Sequence, residues 1–196
     1  MLGAGLGVDM ARQLTASEPA KLAEAGCGFI CRYVTGIPGS TLTKAEAHAI
    51  SAAGLAVVSV FETLGTEATY FTRAQGAVDG RRADLNASLA GQTGAHIFAA
   101  VDYDAQPGDL PAIEAYMAAF ATALGPHYQA GIYGSLILAT LPYPLWQTMA
   151  WSGGVVRPKA RIVQVINDVS LGGVGPVDLD VAMAPLHDLG WHLSVN

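Results

Sequence analysis

Residues 96–104 read HIFAAVDYD, and this stretch decides the fold prediction. A short, largely apolar run leads directly into two acidic residues, Asp102 and Asp104. Short apolar runs bounded by polar residues are typical of buried β-strands. Carboxyl groups at the C-terminal end of such a strand are typical of a parallel sheet, whose functional groups gather at that edge. The stretch therefore predicts a buried strand that ends at a candidate site.

Similar apolar runs recur along the whole chain, separated by Ala-rich stretches that suit helices. Ser17 and Pro19 can open one helix, and Thr43 with Glu46 has the spacing of a capping box. Two longer helices are predicted over about residues 68–90 and 110–124. Besides HIFAAVDYD, the predicted strands are LGAGLGVD (2–9), CGFICRYV (27–34), LAVVSVFE (55–62), YQAGIYG (128–134), TMAWS (148–152), RIVQVI (161–166) and GPVDLDVA (175–182).

Alternating strands and helices predict an α/β fold with a parallel sheet. Eight strands favour closure into a TIM-like (β/α)8 barrel over an open doubly wound sheet, and no G-x-G-x-x-G loop follows a strand. The chain has 196 residues, fewer than the roughly 250 that are typical of such barrels. We therefore expect a compact barrel with short or missing helices in its last third. No linker or charge block divides residues 1–196, so one domain is predicted.

The composition excludes several classes of function. Hydrophobic residues make up 52% of the chain and charged residues 13%, and the net charge is -6 with only 10 Lys plus Arg. Without a basic stripe, neither a nucleic-acid partner nor an anionic membrane surface is expected. The sequence contains no recognisable signal peptide or membrane span, so we expect the protein either to stay in the cytoplasm or to leave by a route that this chain does not encode. A monomer is expected.

The two cysteines predict neither a disulfide nor a metal site. Cys27 and Cys31 lie four residues apart in one predicted strand, which separates their Cα atoms by roughly 13 Å. A disulfide requires about 4.4–6.8 Å. Two buried free thiols are the expected state.

Polar or aromatic residues stand near the ends of all eight predicted strands. In a parallel barrel these ends converge on one mouth, where active sites lie. The converging residues are Asp9, Arg32, Tyr33, Glu62, Asp102, Asp104, Tyr133, Trp151, Gln164, Asp178 and Asp180.

Alternation along each strand sharpens this prediction. Asp102 and Asp104 share a face if the strand continues, and Asp178 shares a face with Asp180. Six carboxyl groups against the single cation Arg32 should raise at least one carboxyl pKa, as a general acid requires. Structural roles remain open as alternatives: capping for Asp9 and Asp180, a loop turn for Asp102 and Asp104, ion pairing for Arg32, and core packing for the aromatic residues.

The chain lacks the signatures of several other chemistries. There is no G-x-S-x-G nucleophile elbow and no phosphate loop. No His, Cys and Asp grouping has the spacing of metal ligands, so neither a metal nor a cofactor is expected. The D-x-D of Asp102 and Asp104 leaves a metal-dependent phosphoryl or sugar transferase as a distant alternative.

Taken together, the ordered motifs resemble one family over nearly the whole chain. They are Gly7-Val-Asp9, Phe29-Ile-Cys-Arg32-Tyr33, Leu42-Thr-Lys-Ala-Glu46, Ala53-Gly-Leu55, Ala100-Val-Asp102-Tyr-Asp104, Gly131-Ile-Tyr133-Gly134, Trp146-Gln-Thr-Met-Ala-Trp151 and Val177-Asp-Leu-Asp180. This set resembles the glycoside-hydrolase-like family labelled Domain of Unknown Function 1906, which is similar to the lysozymes of glycoside hydrolase family 25.

The resemblance implies cleavage of peptidoglycan between N-acetylmuramic acid and N-acetylglucosamine. Asp9 matches the lysozymes' early Asp, Asp102 the first member of their D-x-E pair, and Asp178 their late Asp. Asp104 stands where those enzymes have their acid Glu and is one methylene shorter, so Glu62 is a second candidate for the acid.

The sequence thus predicts a muramidase-like peptidoglycan hydrolase. The predicted catalytic residues are Asp9, Glu62, Asp102 and Asp104, and the predicted substrate-binding residues are Arg32, Tyr103, Tyr133, Trp151, Gln164, Asp178 and Asp180. A non-catalytic barrel that binds cell-wall glycan is the main alternative. For localisation, the sequence leaves open the cytoplasm until release to the cell wall as a phage or prophage lysin, and export by another route.

Overall fold

Eight strands close into a barrel in chain order in the computed structural model, which describes residues 5–193. The α/β barrel predicted from the sequence is confirmed. The strands are β1 (Leu6–Asp9), β2 (Cys27–Tyr33), β3 (Ala56–Phe61), β4 (His96–Val101), β5 (Gln129–Gly134), β6 (Leu145–Thr148), β7 (Ala160–Leu171) and β8 (Val174–Ala182). Residues 2–4 of the predicted first strand lie outside the described residues.

Helices cover the barrel unevenly. They are α1 (Glu18–Glu24), α2 (Lys44–Ala52), α3 (Arg73–Ala90), α4 (Leu110–Ala123) and α5 (Leu186–Leu189). A short 3-10 helix, Leu136–Thr140, follows β5, and no helix separates β6, β7 and β8. The expectation of short or missing helices in the last third is confirmed.

Alternation along the strands sorts side chains between two apolar layers. One layer lies between the barrel and its helices, where Phe61 packs on Phe120 with ring centroids 5.9 Å apart. The other fills the barrel interior and includes Phe29, Val58, Val60, Phe98, Trp146 and Ile162. Glycine makes room for the interior rings, since a Cβ on Gly7 would lie 2.3 Å from the Phe29 ring.

The last strand corrects the prediction of a fully parallel barrel. Strands β1 to β7 pair in parallel, whereas β8 is antiparallel to both β7 and β1. The physical reason is the connection Gly172-Gly173, whose φ angles of 60° and 75° form a two-residue hairpin turn. Asp178 therefore reaches the mouth from a strand that runs back into the barrel.

The sixth strand is also shifted from its predicted position. It spans Leu145–Thr148 rather than 148–152, so Trp146 points into the barrel. The chain then leaves the sheet in a turn that Gln147 fixes, donating to the Val155 carbonyl at 2.7 Å and accepting from the Arg157 amide at 2.9 Å. Trp151 lies in this turn with φ of 55° and is 44% exposed.

The cap of α2 and the state of both cysteines are as the sequence predicts. Thr43 caps α2 and accepts from the Glu46 amide at 3.2 Å. Cys27 and Cys31 are free and buried, as expected. No helix among the described residues is long and apolar enough to cross a bilayer.

Candidate active site

A cavity of about 160 Å³ opens at the C-terminal ends of the parallel strands. Strand ends from most of the barrel contribute to its wall. The lining residues are Asp9, Tyr33, Val60, Glu62, Asp102, Tyr133, Trp146, Gln164, Asn167 and Asp178.

Glu62 and Asp102, which we call the outer pair, follow the ends of neighbouring strands β3 and β4. Both side chains are half-buried. Burial, reinforced by the charge of Asp102, raises the pKa of Glu62 from 4.5 to about 7. Burial also raises the pKa of Asp102. Two carboxyl groups that disfavour each other's charge can hold one proton between them near neutral pH.

Asp9 and Asp180, which we call the inner pair, lie deeper in the barrel and are 5% and 0% exposed. In the β1–β8 register, Gly7 faces Asp180 and Asp9 faces Asp178, so the inner pair are diagonal neighbours on the interior face. The Trp146 indole donates to Asp180 Oδ1 at 2.9 Å. Asp180 Oδ2 has no N–H or hydroxyl donor among the described residues.

A shared proton accounts for that unpaired oxygen. Burial raises the pKa of Asp180 far above its ordinary range. Burial also raises the pKa of Asp9 to about 7, opposed by its hydrogen bond from Gln164. Asp180 therefore keeps its proton and donates it towards Asp9.

Gln164 connects the cavity wall through both ends of its side-chain amide. Its Nε2 donates to Asp9 Oδ2 at 2.8 Å and to Asp178 Oδ2 at 3.3 Å. Its Oε1 accepts from the Tyr133 hydroxyl at 3.0 Å and from Thr148 Oγ1 at 3.1 Å. Asp178 also accepts from the Asp168 amide at 2.8 Å. This network fixes the orientation of Asp9 and Asp178.

Arg32 lies outside the cavity, contrary to prediction. It alternates with Cys31 and Tyr33, so its side chain points away from the barrel interior and is wholly buried. It pairs with Glu46 at 2.7 Å and donates to the carbonyls of Met10 and Ser40. Arg32 thus ties β2 to α2 and the β1–α1 loop.

Tyr103 and Asp104 also lie outside the cavity, because β4 ends at Val101 and strand alternation stops there. The Tyr103 ring packs on Phe71, with centroids 5.8 Å apart. The Asp104 side chain is exposed. Trp151, in its turn after β6, is likewise absent from the lining, and so is Asp180, which is wholly buried.

Four lining residues are missing from the predicted site set: Tyr33, Val60, Trp146 and Asn167. Because side chains alternate along a strand, placing Cys31 on the interior face would have put Tyr33, and not Arg32, at the cavity. Placing the sixth strand three residues earlier would have put Trp146 there. The Trp146 and Tyr133 rings meet edge to face, with centroids 4.9 Å apart.

Among residues 5–193, no three His, Cys, Asp or Glu side chains are grouped so that they could hold a metal ion.

A closed barrel with carboxyl groups and aromatic rings around its C-terminal mouth is typical of glycoside-hydrolase-like domains. Comparison with known families agrees with this class. The chain belongs to the Rv2525c-like, glycoside hydrolase-like domain family, whose model matches residues 20–182.

One curated relative extends well beyond this domain. The sequence is 33% identical over 147 residues to the uncharacterized protein FadG of Bacillus subtilis, and the match covers 70% of this chain. It covers 26% of FadG, so the chain spans about a quarter of that relative's length.

Two solved structures show how far the likeness extends. The Mycobacterium tuberculosis Tat-secreted protein Rv2525c, solved in complex with L-tartrate, is 26% identical with a TM-score of 0.78, over 94% of this chain and 97% of that one. GHIP, a glycosyl hydrolase 25 of Streptococcus pneumoniae, is 12% identical with a TM-score of 0.63, over 96% and 94%. At that identity the likeness to GHIP shows the fold alone.

Proposed function

We propose that this domain hydrolyses glycosidic bonds in bacterial cell-wall peptidoglycan, in the manner of a muramidase. The observation that carries the proposal is the outer pair. A carboxyl group whose pKa is about 7 stands beside a second carboxyl group at the mouth of the barrel. Glycosidases require one protonated and one ionised carboxyl group around the scissile bond.

In this proposal Glu62 is the general acid and Asp102 its ionised partner. Near pH 7 a substantial fraction of Glu62 carries the proton that the departing glycosidic oxygen needs. Asp102 then stabilises the positive charge that develops on the sugar, or activates the attacking water. Asp9, oriented by Gln164, adds negative charge from beneath.

The aromatic and polar residues of the wall suit a sugar ring. Tyr133 and Trp146 present apolar faces, and Gln164 and Asp178 offer hydrogen-bonding groups beside them. We propose that the exposed indole of Trp151 contacts a sugar unit outside the cavity. Family membership and the fold shared with a glycosyl hydrolase 25 support this substrate class.

A glycan-binding barrel without catalysis is the second candidate. It is favoured by the position of Asp104, which matches the lysozymes' acid in sequence yet is exposed beyond the end of β4. In that case Glu62 and Asp102 would bind sugar hydroxyl groups and transfer no proton.

One experiment separates the two candidates. Purified peptidoglycan is incubated with the protein in excess chelator, and both released reducing ends and wall-bound protein are measured. The hydrolase predicts release that persists in chelator and is lost in Glu62→Gln. Wall binding without release from the unmutated protein selects the binding barrel. Release that stops in chelator and returns with Mg²⁺ contradicts the metal-independent carboxyl mechanism.

A further inference from the structure

Another buried carboxyl group, outside the cavity lining, lies between α3 and α4. Asp79 of α3 is 2% exposed and forms no ion pair among the described residues. It accepts from the Tyr70 hydroxyl at 2.5 Å, the Tyr116 hydroxyl at 2.8 Å and Gln75 Nε2 at 2.8 Å. Neutral donors alone satisfy this carboxyl group.

The single hydroxyl hydrogen of Tyr70 fixes the direction of the hydrogen bonds in this network. A phenol has one hydrogen, and Tyr70 uses it towards Asp79 at 2.5 Å. Thr63 Oγ1 lies 2.6 Å from the same phenol oxygen, so Thr63 must be the donor of that bond. The β3–α3 loop is therefore tied through Tyr70 to the middle of α3.

Thr63 is the residue after Glu62, and the same loop also holds Asp102. The Gly65 carbonyl accepts from the Asp102 amide at 2.8 Å. Gly65 packs closely on β4, since a Cβ there would lie 2.7 Å from the Ala100 carbonyl oxygen. One loop thus fixes the backbone beside both members of the outer pair.

We propose that Tyr70 and Asp79 are positioning residues that act through Thr63 to hold Glu62 against Asp102. The inference rests on the proposed function, but the position of Glu62 can be measured without any activity. Neither Tyr70 nor Asp79 lines the cavity, so neither has a direct role in the reaction.

The pKa of Glu62 depends on where its carboxyl group lies, so a change in the pKa shows a change in position. The groups that set its pKa come from three other strands: Asp102 after β4, Tyr33 of β2 and Asp9 of β1. Loosening the loop admits water and moves Glu62 away from Asp102, and both changes lower the pKa.

The chain offers two matched pairs of variants. Tyr70→Phe and Tyr116→Phe each remove one hydroxyl bond to Asp79, but only Tyr70 reaches Thr63. Thr63→Val removes the hydroxyl while keeping the shape, and Thr63→Ser keeps the hydroxyl. The pKa of Glu62 is followed by ¹³C-carboxyl NMR, with the resonance assigned by its loss in Glu62→Gln. Reducing-end release gives kcat and KM in parallel.

We expect the Glu62 pKa to fall from about 7 towards 4.5 in Tyr70→Phe and Thr63→Val. It should stay near 7 in Tyr116→Phe and Thr63→Ser. In an active enzyme kcat should fall about tenfold or more in the first two variants with little change in KM, because geometry rather than binding is lost. If Tyr70→Phe does not fold, the half-buried Thr63 pair still decides the question.

Two results would overturn the proposal: an unchanged Glu62 pKa in the folded variants, or an equal fall in Tyr116→Phe. If the proposed function is wrong, the experiment gives a different result. The unmutated protein would then release no reducing ends, while the Glu62 pKa would still fall in Tyr70→Phe and Thr63→Val alone.

Discussion

The outer pair and the inner pair lie in one barrel mouth but differ in how their carboxyl groups are satisfied. Asp9 and Asp180 are almost wholly buried and receive short hydrogen bonds from Gln164 and Trp146. Glu62 and Asp102 are half-buried, and the Tyr33 hydroxyl lies 3.5 Å from Glu62, too far for a strong bond.

We infer from this difference that the two pairs have different roles. Hydrogen bonds from fixed donors hold the inner pair in one arrangement, and the shared proton stays inside the barrel. Both members of the outer pair have raised pKa values and line the cavity, so their proton can pass to a bound molecule, whereas Asp180 does not line the cavity. Removing a member of the outer pair should cost activity, whereas removing Asp180 should cost stability.

The largest expected effect is on turnover in the outer pair. Glu62→Gln and Asp102→Asn should each lower kcat for peptidoglycan by about 10²–10⁴-fold, the usual contribution of general acid–base catalysis. Both changes are nearly isosteric, so the melting temperature should hold or rise. Reducing-end release beside a melting curve measures both.

Asp104→Asn is the matched control for these variants. Its side chain is exposed beyond the end of β4, so turnover should stay at the unmutated rate. A loss in Asp104→Asn as large as that in Glu62→Gln would transfer the acid role to Asp104.

A smaller effect, on stability, is expected in the inner pair. Asp180→Ala leaves the Trp146 indole N–H buried without an acceptor, which costs roughly 1–3 kcal/mol of unfolding free energy. Asp180→Asn keeps both the acceptor for Trp146 and a donor towards Asp9, so it should stay close to the unmutated value. Urea unfolding at pH 6 compares the three proteins, and equal stability of the Ala and Asn variants would contradict the shared proton.

The pH dependence of stability should follow the raised pKa values. Folded Glu62 keeps its proton to about pH 7, whereas in the unfolded chain it is lost near 4.5. The unfolded state therefore binds fewer protons between these values, and the unfolding free energy falls as the pH rises through this window. Glu62→Gln should flatten that fall by about 1–3 kcal/mol. A fall that is equally steep in Glu62→Gln would show that Glu62 titrates normally.

The smallest effect is expected outside both pairs, at Trp151. Trp151→Ala should change the unfolding free energy by no more than about 0.5 kcal/mol, because the indole is exposed. Binding to cell walls should weaken a few-fold if the indole contacts sugar. Unchanged wall binding would limit the sugar contacts to the cavity.

The sequence predicted the carboxyl groups of the mouth where the predicted strand ends match the observed ones. Asp9, Glu62 and Asp102 each follow an apolar run, and the structure places all three on one cavity. Prediction was wrong where local pattern was insufficient: β4 stops before Asp104, β6 begins earlier than its apolar run suggested, and β8 reverses direction. The Gly172-Gly173 turn between two strand-like runs was the local signal for that reversal.

The sequence by itself determined the class of fold and the type of chemistry, because strand periodicity and acidic strand ends are local properties of the chain. Tertiary structure alone decided which carboxyl groups share a proton. Asp180 meets Asp9 only because β8 returns antiparallel beside β1, and Arg32 leaves the mouth because its strand face packs on α2 and the β1–α1 loop. Protonation and exposure depend on neighbours from distant parts of the chain, and those neighbours meet only when the barrel closes.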